Sequence, residues 1–333
     1  MSLPLELVRT LQGADPKEAW TAIFDHAWAT CSGKLNPENP APAVLNRERS
    51  VGEIDQFFAT AGWDLWREFD GAVDRTADVL AGWWTQYRGN KAILILDGLS
   101  LREVPWLLQG AEARGYTIHQ ARPTACELPG DTNTFAKALG VGTRGALEND
   151  GVARGHVFSD ATTETTDTNF SDCAGAISTA PRHLFWHHWP DHVLHEMSKP
   201  GQGLSALAKD AAAKLSGDGF WGLVGKLAHG RRLVITSDHG YGATGEFADM
   251  EGEQKNHLRN AFGQRRFALG AADEGPWTPP IVLTITARGG TGHYALGRRK
   301  WTVPGGHPLL AHGGLTVLEV ASPFIEISRS TNA

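Results

Sequence analysis

Cysteine is scarce in this chain and forms no pattern. Cys31, Cys126 and Cys173 are the three thiols among 333 residues, and no two stand as Cys-x-x-Cys. That spacing excludes a zinc ribbon or a dithiol redox motif, and an odd count suits a reducing compartment better than a disulfide scaffold. Long apolar runs are also missing; none approaches the roughly 18 residues that a membrane-spanning helix needs. The first residues, Met1-Ser2-Leu3-Pro4-Leu5-Glu6, lack a basic stretch followed by an apolar one and do not read as a signal peptide. Excess positive charge is absent as well. The formal net charge of -6 argues against a surface wholly given over to nucleic acid, although a local basic patch remains compatible with it. No internal repeat is visible. These absences lead to the expectation of a soluble, cytoplasmic protein with no membrane partner.

What is present is ordinary globular material, 41% hydrophobic and 20% charged, with room for one large or two smaller domains. Tryptophan is the exception, with 12 copies. Trp20, Trp28, Trp63, Trp66, Trp83 and Trp84 all precede the first strand. They read as the large rings of a small helical core, with a base-stacking surface as the alternative. Residues 1–88 are expected to be a helical module: Val73, Ala77, Leu80 and Trp84 recur at helical spacing, and Asn36-Pro37-Glu38-Asn39-Pro40 breaks it into two parts.

From residue 89 to about 330, strand and helix patterns alternate. Strands are expected at 92–96, 116–120, 184–186, 233–236, 281–286 and 324–327. Helices are expected from about Ser100, at 133–139, 204–215 and 221–227, and briefly at 316–320. Ser100-Leu101-Arg102-Glu103 fits a capping box, which makes Ser100 a helix cap rather than a nucleophile. Residues 159–180, rich in Ser, Thr, Asp and Ala, read as a long polar loop, a candidate lid. The glycine-rich stretch after 286 suggests a hairpin. Repeated β-α-β order implies an α/β fold with a mainly parallel sheet flanked by helices on both faces.

Chemistry collects at the strand ends. Ile93-Leu94-Ile95-Leu96-Asp97-Gly98 and Val234-Ile235-Thr236-Ser237-Asp238-His239-Gly240 each run from buried apolar residues into metal-ligand types and then a glycine. Such ends deliver side chains to the crevice where open α/β sheets put their chemistry. In Asp191-His192-Val193-Leu194-His195 the Asp and the second His stand four apart, on one face of a helical turn. Ala311-His312-Gly313-Gly314-Leu315 adds a late histidine, with His307 a weaker candidate. His183, His187, His188 and His192 crowd the region before Asp191 and read as rim or supporting groups. Taken alone, Asp97 could cap a turn, and each histidine could be a loop or surface residue. Taken together, Asp97, Asp191, His195, Asp238, His239 and His312 suffice for two divalent ions, and nitrogen and carboxylate ligands without thiolate suit Zn²⁺ or Mn²⁺ rather than Ca²⁺. Two such ions roughly 4 Å apart form the usual clamp for displacement at phosphorus.

This order of motifs resembles the alkaline phosphatase superfamily. Ala311-His312-Gly313-Gly314-Leu315 with the following Pro323-Phe324 strand, Ile95-Leu96-Asp97-Gly98-Leu99 and Ser237-Asp238-His239-Gly240-Tyr241 resemble the PglZ domain in particular, over residues 90 to 328. The resemblance implies a metal-dependent phosphoesterase, of phosphodiesterase or phosphatase type. Asp191, His195 and His312 would hold one ion and Asp97, Asp238 and His239 the other, Zn²⁺ ahead of Mn²⁺, beside a Thr or Ser nucleophile. It also implies a setting in bacterial phage defence of the BREX type, with defence-system proteins as partners. The family's nucleophile opens a helix in a Pro-x-x-Thr arrangement. Pro129-Gly130-Asp131-Thr132 fits this, so Thr132 is either the nucleophile or simply the cap of that helix; Thr124, in Pro123-Thr124-Ala125-Cys126, is the other candidate.

On the substrate side, Lys255, Arg259, Arg265 and Arg266, and then Arg298, Arg299 and Lys300, are clusters that either face a polyanion in the crevice or form a solvated surface. The sequence does not choose among a nucleotide, a nucleic-acid end and a phosphoprotein. The expected activity is hydrolysis of a phosphoester through a threonine at a two-metal site. The alternative is a weak or inactive domain that binds metal as a scaffold or interaction module. A sulfatase is disfavoured by the lack of Cys-x-Pro-x-Arg.

Overall fold

Strand β1 (Lys91–Leu96) is buried at every position, as an apolar run covered on both faces must be. Around it lie β2 (Tyr116–Ala125), β3 (Thr162–Thr166), β4 (Arg182–His187), β5 (Arg232–Thr236) and β6 (Ala321–Arg329), in the order β2-β6-β5-β1-β4-β3. The computed structural model of the chain describes residues 3–36, 38–150, 156–158, 160–199, 201–248, 251–270, 282–301 and 308–329. Strands β5, β1, β4 and β3 are mutually parallel, while β6 runs antiparallel to both β5 and β2. The sheet is therefore mixed and dominated by parallel strands, with one reversed strand inside it.

Period-two alternation sends the two faces of the sheet into different cores. Ala92, Leu94 and Leu96 join Leu107, Leu207, Leu223, Leu233 and Ile235 under helices Val104–Ala113, Leu204–Ser216 and Asp218–Ala228. Ile93 and Ile95 join Phe135, Trp186, Val234 and Phe324 under helices Thr76–Gln86 and Thr132–Ala138. Helices Leu5–Leu11, Pro16–Ser32, Ala41–Thr60 and Trp63–Ala72 pack on the first of these faces. Trp20 and Trp66 are fully buried there with ring centroids 4.7 Å apart, and Phe58 and Phe69 surround them. Of the six early tryptophans only Trp63 is exposed, so they pack inward and do not form a stacking platform.

Three expectations change. Residues 159–180 are not a featureless loop: β3 forms the edge of the sheet, and Phe170–Cys173 is a helical turn. Its Thr-Thr-Glu-Thr-Thr sequence hides a strand because β-branched threonine suits a pleated surface while looking polar. Strand β2 runs to Ala125, well past residue 120, because it pairs along its length with β6. The expected strand at 281–286 is Val282–Ala287, its first residue lying outside the described residues, and it forms the expected hairpin with Gly290–Ala295.

The capping box at Ser100 forms: its hydroxyl accepts from the Arg102 amide while Glu103 accepts from the Ser100 amide. Among the described residues no helix is long and apolar enough to cross a membrane.

Candidate active site

Adjacent parallel strands end on the same side, and this brings the motifs together. Asp97 follows β1, Asp238 follows β5 after one serine, and Asp191 follows β4 and opens the helix Asp191–Met197. Strand β2 runs in the same sense, so the loop leading to Thr132 leaves from this side too. The reversed β6 begins where the others end, so His312, just ahead of it, also arrives here. A short ladder pairing Leu310–Ala311 with Gly242–Ala243 ties the His312 loop to the His239 loop.

Two groups of side chains have ligand atoms close enough to share an ion: Asp191, His195 and His312, and Asp97, Asp191 and His239. Asp191 belongs to both groups. Its Oδ2 lies 3.4 Å from His195 Nε2, and its Oδ1 lies 3.6 Å from His312 Nε2. His239 Nε2 stands 3.6 Å from Asp97 Oδ1 and 3.6 Å from Asp238 Oδ2. Asp97, Asp238 and His239 are completely buried, whereas the His195 side chain is 59% exposed, so one group is deep and the other opens to solvent. The His239 and His312 rings stack with centroids 4.3 Å apart.

The histidine tautomers follow from their other nitrogens. His239 Nδ1 lies 2.9 Å from the Gly240 carbonyl and His312 Nδ1 lies 3.1 Å from the Gly130 carbonyl. A carbonyl only accepts, so each Nδ1 carries a hydrogen, and each Nε2 is the nitrogen left facing the carboxylates. Asp238 Oδ1 accepts from the Gly98 and His239 amides, at 3.0 Å each. Its Oδ2, with Asp191 Oδ1 and His239 Nε2, is buried without a hydrogen-bond partner. Two carboxylate oxygens and an imidazole nitrogen, buried together without hydrogen-bond partners, are a donor set that fits a divalent metal.

Electrostatics are consistent with this geometry. Burial alone would raise the Asp191 carboxyl, but the hydrogen bond from His195 and the charges of His312 and His239 hold it well below the usual carboxylate range. His195 is raised, chiefly by that same bond. Burial pushes His239 down, yet Asp238 and Asp191 outweigh it and its pKa rises; His312, where burial dominates, falls.

Thr132 is the first residue of its helix, and Asp131 is the cap, its side chain accepting from the Thr134 amide at 2.7 Å. The Thr132 hydroxyl is thereby free of capping duty and donates to Asp97 Oδ1 at 3.1 Å and Oδ2 at 3.3 Å. Thr124 is engaged elsewhere: its hydroxyl lies 2.7 Å from that of Thr76 and 3.2 Å from the Ser322 carbonyl, and the structure does not bring it to the cluster.

One residue at the site carries no sequence signal. Arg144 forms an ion pair with Asp97 Oδ2, and its Nη2 lies 3.4 Å from His188 Nδ1. Other expected groups turn out to be structural. His187 is buried, accepts from the Trp189 amide and lies 2.8 Å from the Thr168 carbonyl; burial lowers its pKa to about 4. His183 is likewise buried, against Ser178. His192 lies near the His188 carbonyl, and His307 lies outside the described residues.

The basic clusters mostly neutralise the protein's own groups. Arg266 is buried on Glu319, Arg298 pairs with Glu48 and Asp55, Arg299 with Glu246, and buried Lys300 donates to the carbonyls of Gln264 and Arg265. Lys255, Arg259 and Arg265 remain exposed.

No protein-family model matches the chain, and no curated protein does. Solved structures with a similar arrangement include human ectonucleotide pyrophosphatase/phosphodiesterase 5, at 13% identity over 72% of this chain and 88% of that one, with a TM-score of 0.49. The murine counterpart in complex with AMP aligns at 12% identity over 73% and 88%, with a TM-score of 0.47. Phosphonoacetate hydrolase from Sinorhizobium meliloti in complex with phosphonoformate aligns at 12% identity over 74% and 91%, with a TM-score of 0.42.

Proposed function

We propose that the chain is a metal-dependent phosphoesterase of the alkaline phosphatase superfamily, with Thr132 as nucleophile and Asp97, Asp191, His195, Asp238, His239 and His312 holding two divalent cations. The observation that carries this reading is the Thr132 hydroxyl, hydrogen-bonded to both oxygens of Asp97 at the margin of a cluster with three unpartnered buried atoms. Each such orphan costs on the order of 1–3 kcal/mol, which a ligated cation would remove. Three imidazoles, three carboxylates and no thiolate favour Zn²⁺ ahead of Mn²⁺. When bound, the cations supply Lewis acidity at the threonine oxygen and offset charge on the phosphoryl oxygens.

Asp97 holds Thr132 Oγ1 in place. That oxygen gives up its proton to water and bonds to phosphorus while the ester oxygen leaves from the opposite side and takes up a proton, and a second water then hydrolyses the phosphothreonine and restores the hydroxyl. Arg144 offers a guanidinium for the non-bridging oxygens. In this reading residues 89–330 are the catalytic unit and residues 1–88 a helical module. The PglZ-like His312-Gly313-Gly314-Leu315 and Ser237-Asp238-His239-Gly240-Tyr241 motifs support a place in BREX-type phage defence, with a nucleotide, a nucleic-acid end or a phosphoprotein as substrate. The Arg144–Asp97 ion pair, which takes up a carboxylate that a cation would use, favours a second reading as a weak or inactive metal-binding scaffold.

The test is metal content together with hydrolysis of a chromogenic aryl phosphodiester in Zn²⁺ and Mn²⁺. Asp238→Ala is expected to abolish turnover, and unchanged activity refutes the site. Thr132→Ala is expected to lower kcat by roughly 10³-fold or more and to remove the phosphothreonine seen by mass spectrometry. Metal bound without turnover in the unaltered protein selects the scaffold.

A further inference from the structure

The turn ahead of β6 carries a carboxylate that the chemistry does not use. Thr316-Val317-Leu318-Glu319 has the spacing of a capping box, and the Thr316 hydroxyl does accept from the Glu319 amide at 3.2 Å. The Glu319 carboxylate, however, points the other way. It receives Arg266 Nε on Oε1 at 2.9 Å and Arg266 Nη2 on Oε2 at 3.0 Å, and both side chains are completely buried. Arg266 spends its remaining donors on the carbonyls of Gly297 and Arg299. A buried pair of this kind is a poor source of stability, since desolvation offsets the attraction and an apolar pair of similar volume does as well.

What Glu319 supplies is fixed acceptors for the loops that carry the site's histidines. Oε1 also accepts the Gly314 amide at 3.0 Å, two residues after His312. The backbone carbonyl of Glu319 accepts the Gly240 amide at 2.9 Å, one residue after His239. Both loops are pressed onto this anchor without room for a side chain. A Cβ on Gly314 would lie 2.5 Å from the Arg266 guanidinium, one on Gly240 would lie 2.1 Å from the Leu318 carbonyl oxygen, and one on Gly242 would lie 2.9 Å from Glu319 Oε2.

We propose that Glu319, locked by Arg266, is a positioning residue that sets His312 and His239 in their stacked arrangement, with Nε2 of each turned to the carboxylates. Its side chain acts on the His312 loop through the Gly314 amide, its backbone carbonyl holds the Gly240 amide behind His239, and it touches neither cation nor substrate. The inference rests on the reading of these histidines as metal ligands, and its test separates the two.

The test compares Glu319→Ala, Glu319→Gln and the apolar double variant Arg266→Met/Glu319→Leu with the unaltered full chain. Two readouts are taken. In the metal-free, ¹⁵N-histidine-labelled protein, imidazole shifts report the tautomer. The unaltered chain is expected to hold His312 with the hydrogen on Nδ1, against the Gly130 carbonyl, and the double variant is expected to lose that preference while keeping its Tm within a few degrees. With Co²⁺ as probe, the double variant and Glu319→Ala are expected to bind about tenfold or more weakly with altered d–d bands. Glu319→Gln, which keeps an oxygen for Gly314, is expected to stay within a few-fold.

A folded double variant with unaltered tautomers and Co²⁺ affinity overturns the proposal, as does equal loss in the Gln and Ala variants. If the unaltered chain takes up no Co²⁺, the metal reading fails, and the tautomer readout still decides whether Glu319 positions the rings.

Discussion

Gly98 stands at φ +75°, between the carboxylate that accepts from Thr132 and the helix that starts at Asp191. A Cβ there would come within 3.2 Å of Asp191 Cβ, and the Gly98 amide already holds Asp238 Oδ1. One residue thus keeps three carboxylates in register. Gly98→Ala is expected to cost roughly 1–3 kcal/mol in urea denaturation, from the left-handed backbone and the contact together. It should also weaken cation binding by calorimetry, because Asp191 must move. At this scale the sequence was partly readable. Asp97, Asp238 and His239 are marked by apolar runs that end on ligand types, and His312 by the glycines behind it. Arg144 has no such mark: it lies in the segment Arg144–Asp150, and only three dimensions bring it against Asp97. The sharing of Asp191 between two ligand groups was equally hidden, because spacing shows which residues share a face but not which oxygens face which partners.

At the scale of elements, the short turn Leu101–Glu103 after β1 shows how a local signal survives into the fold and acquires a second role. Glu103 caps that turn, as its spacing from Ser100 indicates, but it also accepts the Tyr241 hydroxyl at 2.6 Å, from the loop behind His239. Burial pushes its carboxyl up to about 7, against the pull of Tyr241 and Arg102. The protonated form is therefore favoured by folding. Its stabilising contribution is complete below the unfolded carboxyl's pKa of about 4.3 and is lost as pH rises through about 7. Glu103→Gln should remove this loss: relative to the unaltered chain it gains on the order of 1–2 kcal/mol at pH 8 and nothing at pH 4, measured by chemical denaturation. Helices and buried strands were legible because their periodicity is that of their own packing. The edge strand β3 was not, because its threonines alternate between buried and half-buried positions without changing residue type.

For the whole molecule, the arrangement of the sheet brings five separate stretches of sequence into one cluster. A cation held there by the proposed ligands would tie β1, β4, β5 and the segment before β6 together, and would favour the folded chain over the unfolded one. Zn²⁺ at about one hundred times its Kd should therefore add about 2.7 kcal/mol of stability. That raises Tm by roughly 5 °C, and a chelator should reverse it. Asp191→Ala, which removes the carboxylate common to both ligand groups, should abolish the Zn²⁺ shift in a thermal melt. The parallel layering was foreseeable from alternating strand and helix patterns, whereas the reversal of β6 was not, since an apolar run carries no arrow.

That reversal sets an order of events. Because β6 enters the sheet upside down, its preceding segment is the last piece delivered to the cluster. A chain emerging from the ribosome has Asp97, Asp191 and His239 in hand while His312 and Glu319 are still to come. The proposed ligand set is therefore completed only by the stretch that leads into β6, and a product that stops short of residue 312 is expected to lack the His312 ligand and the metal-dependent activity proposed for the intact chain.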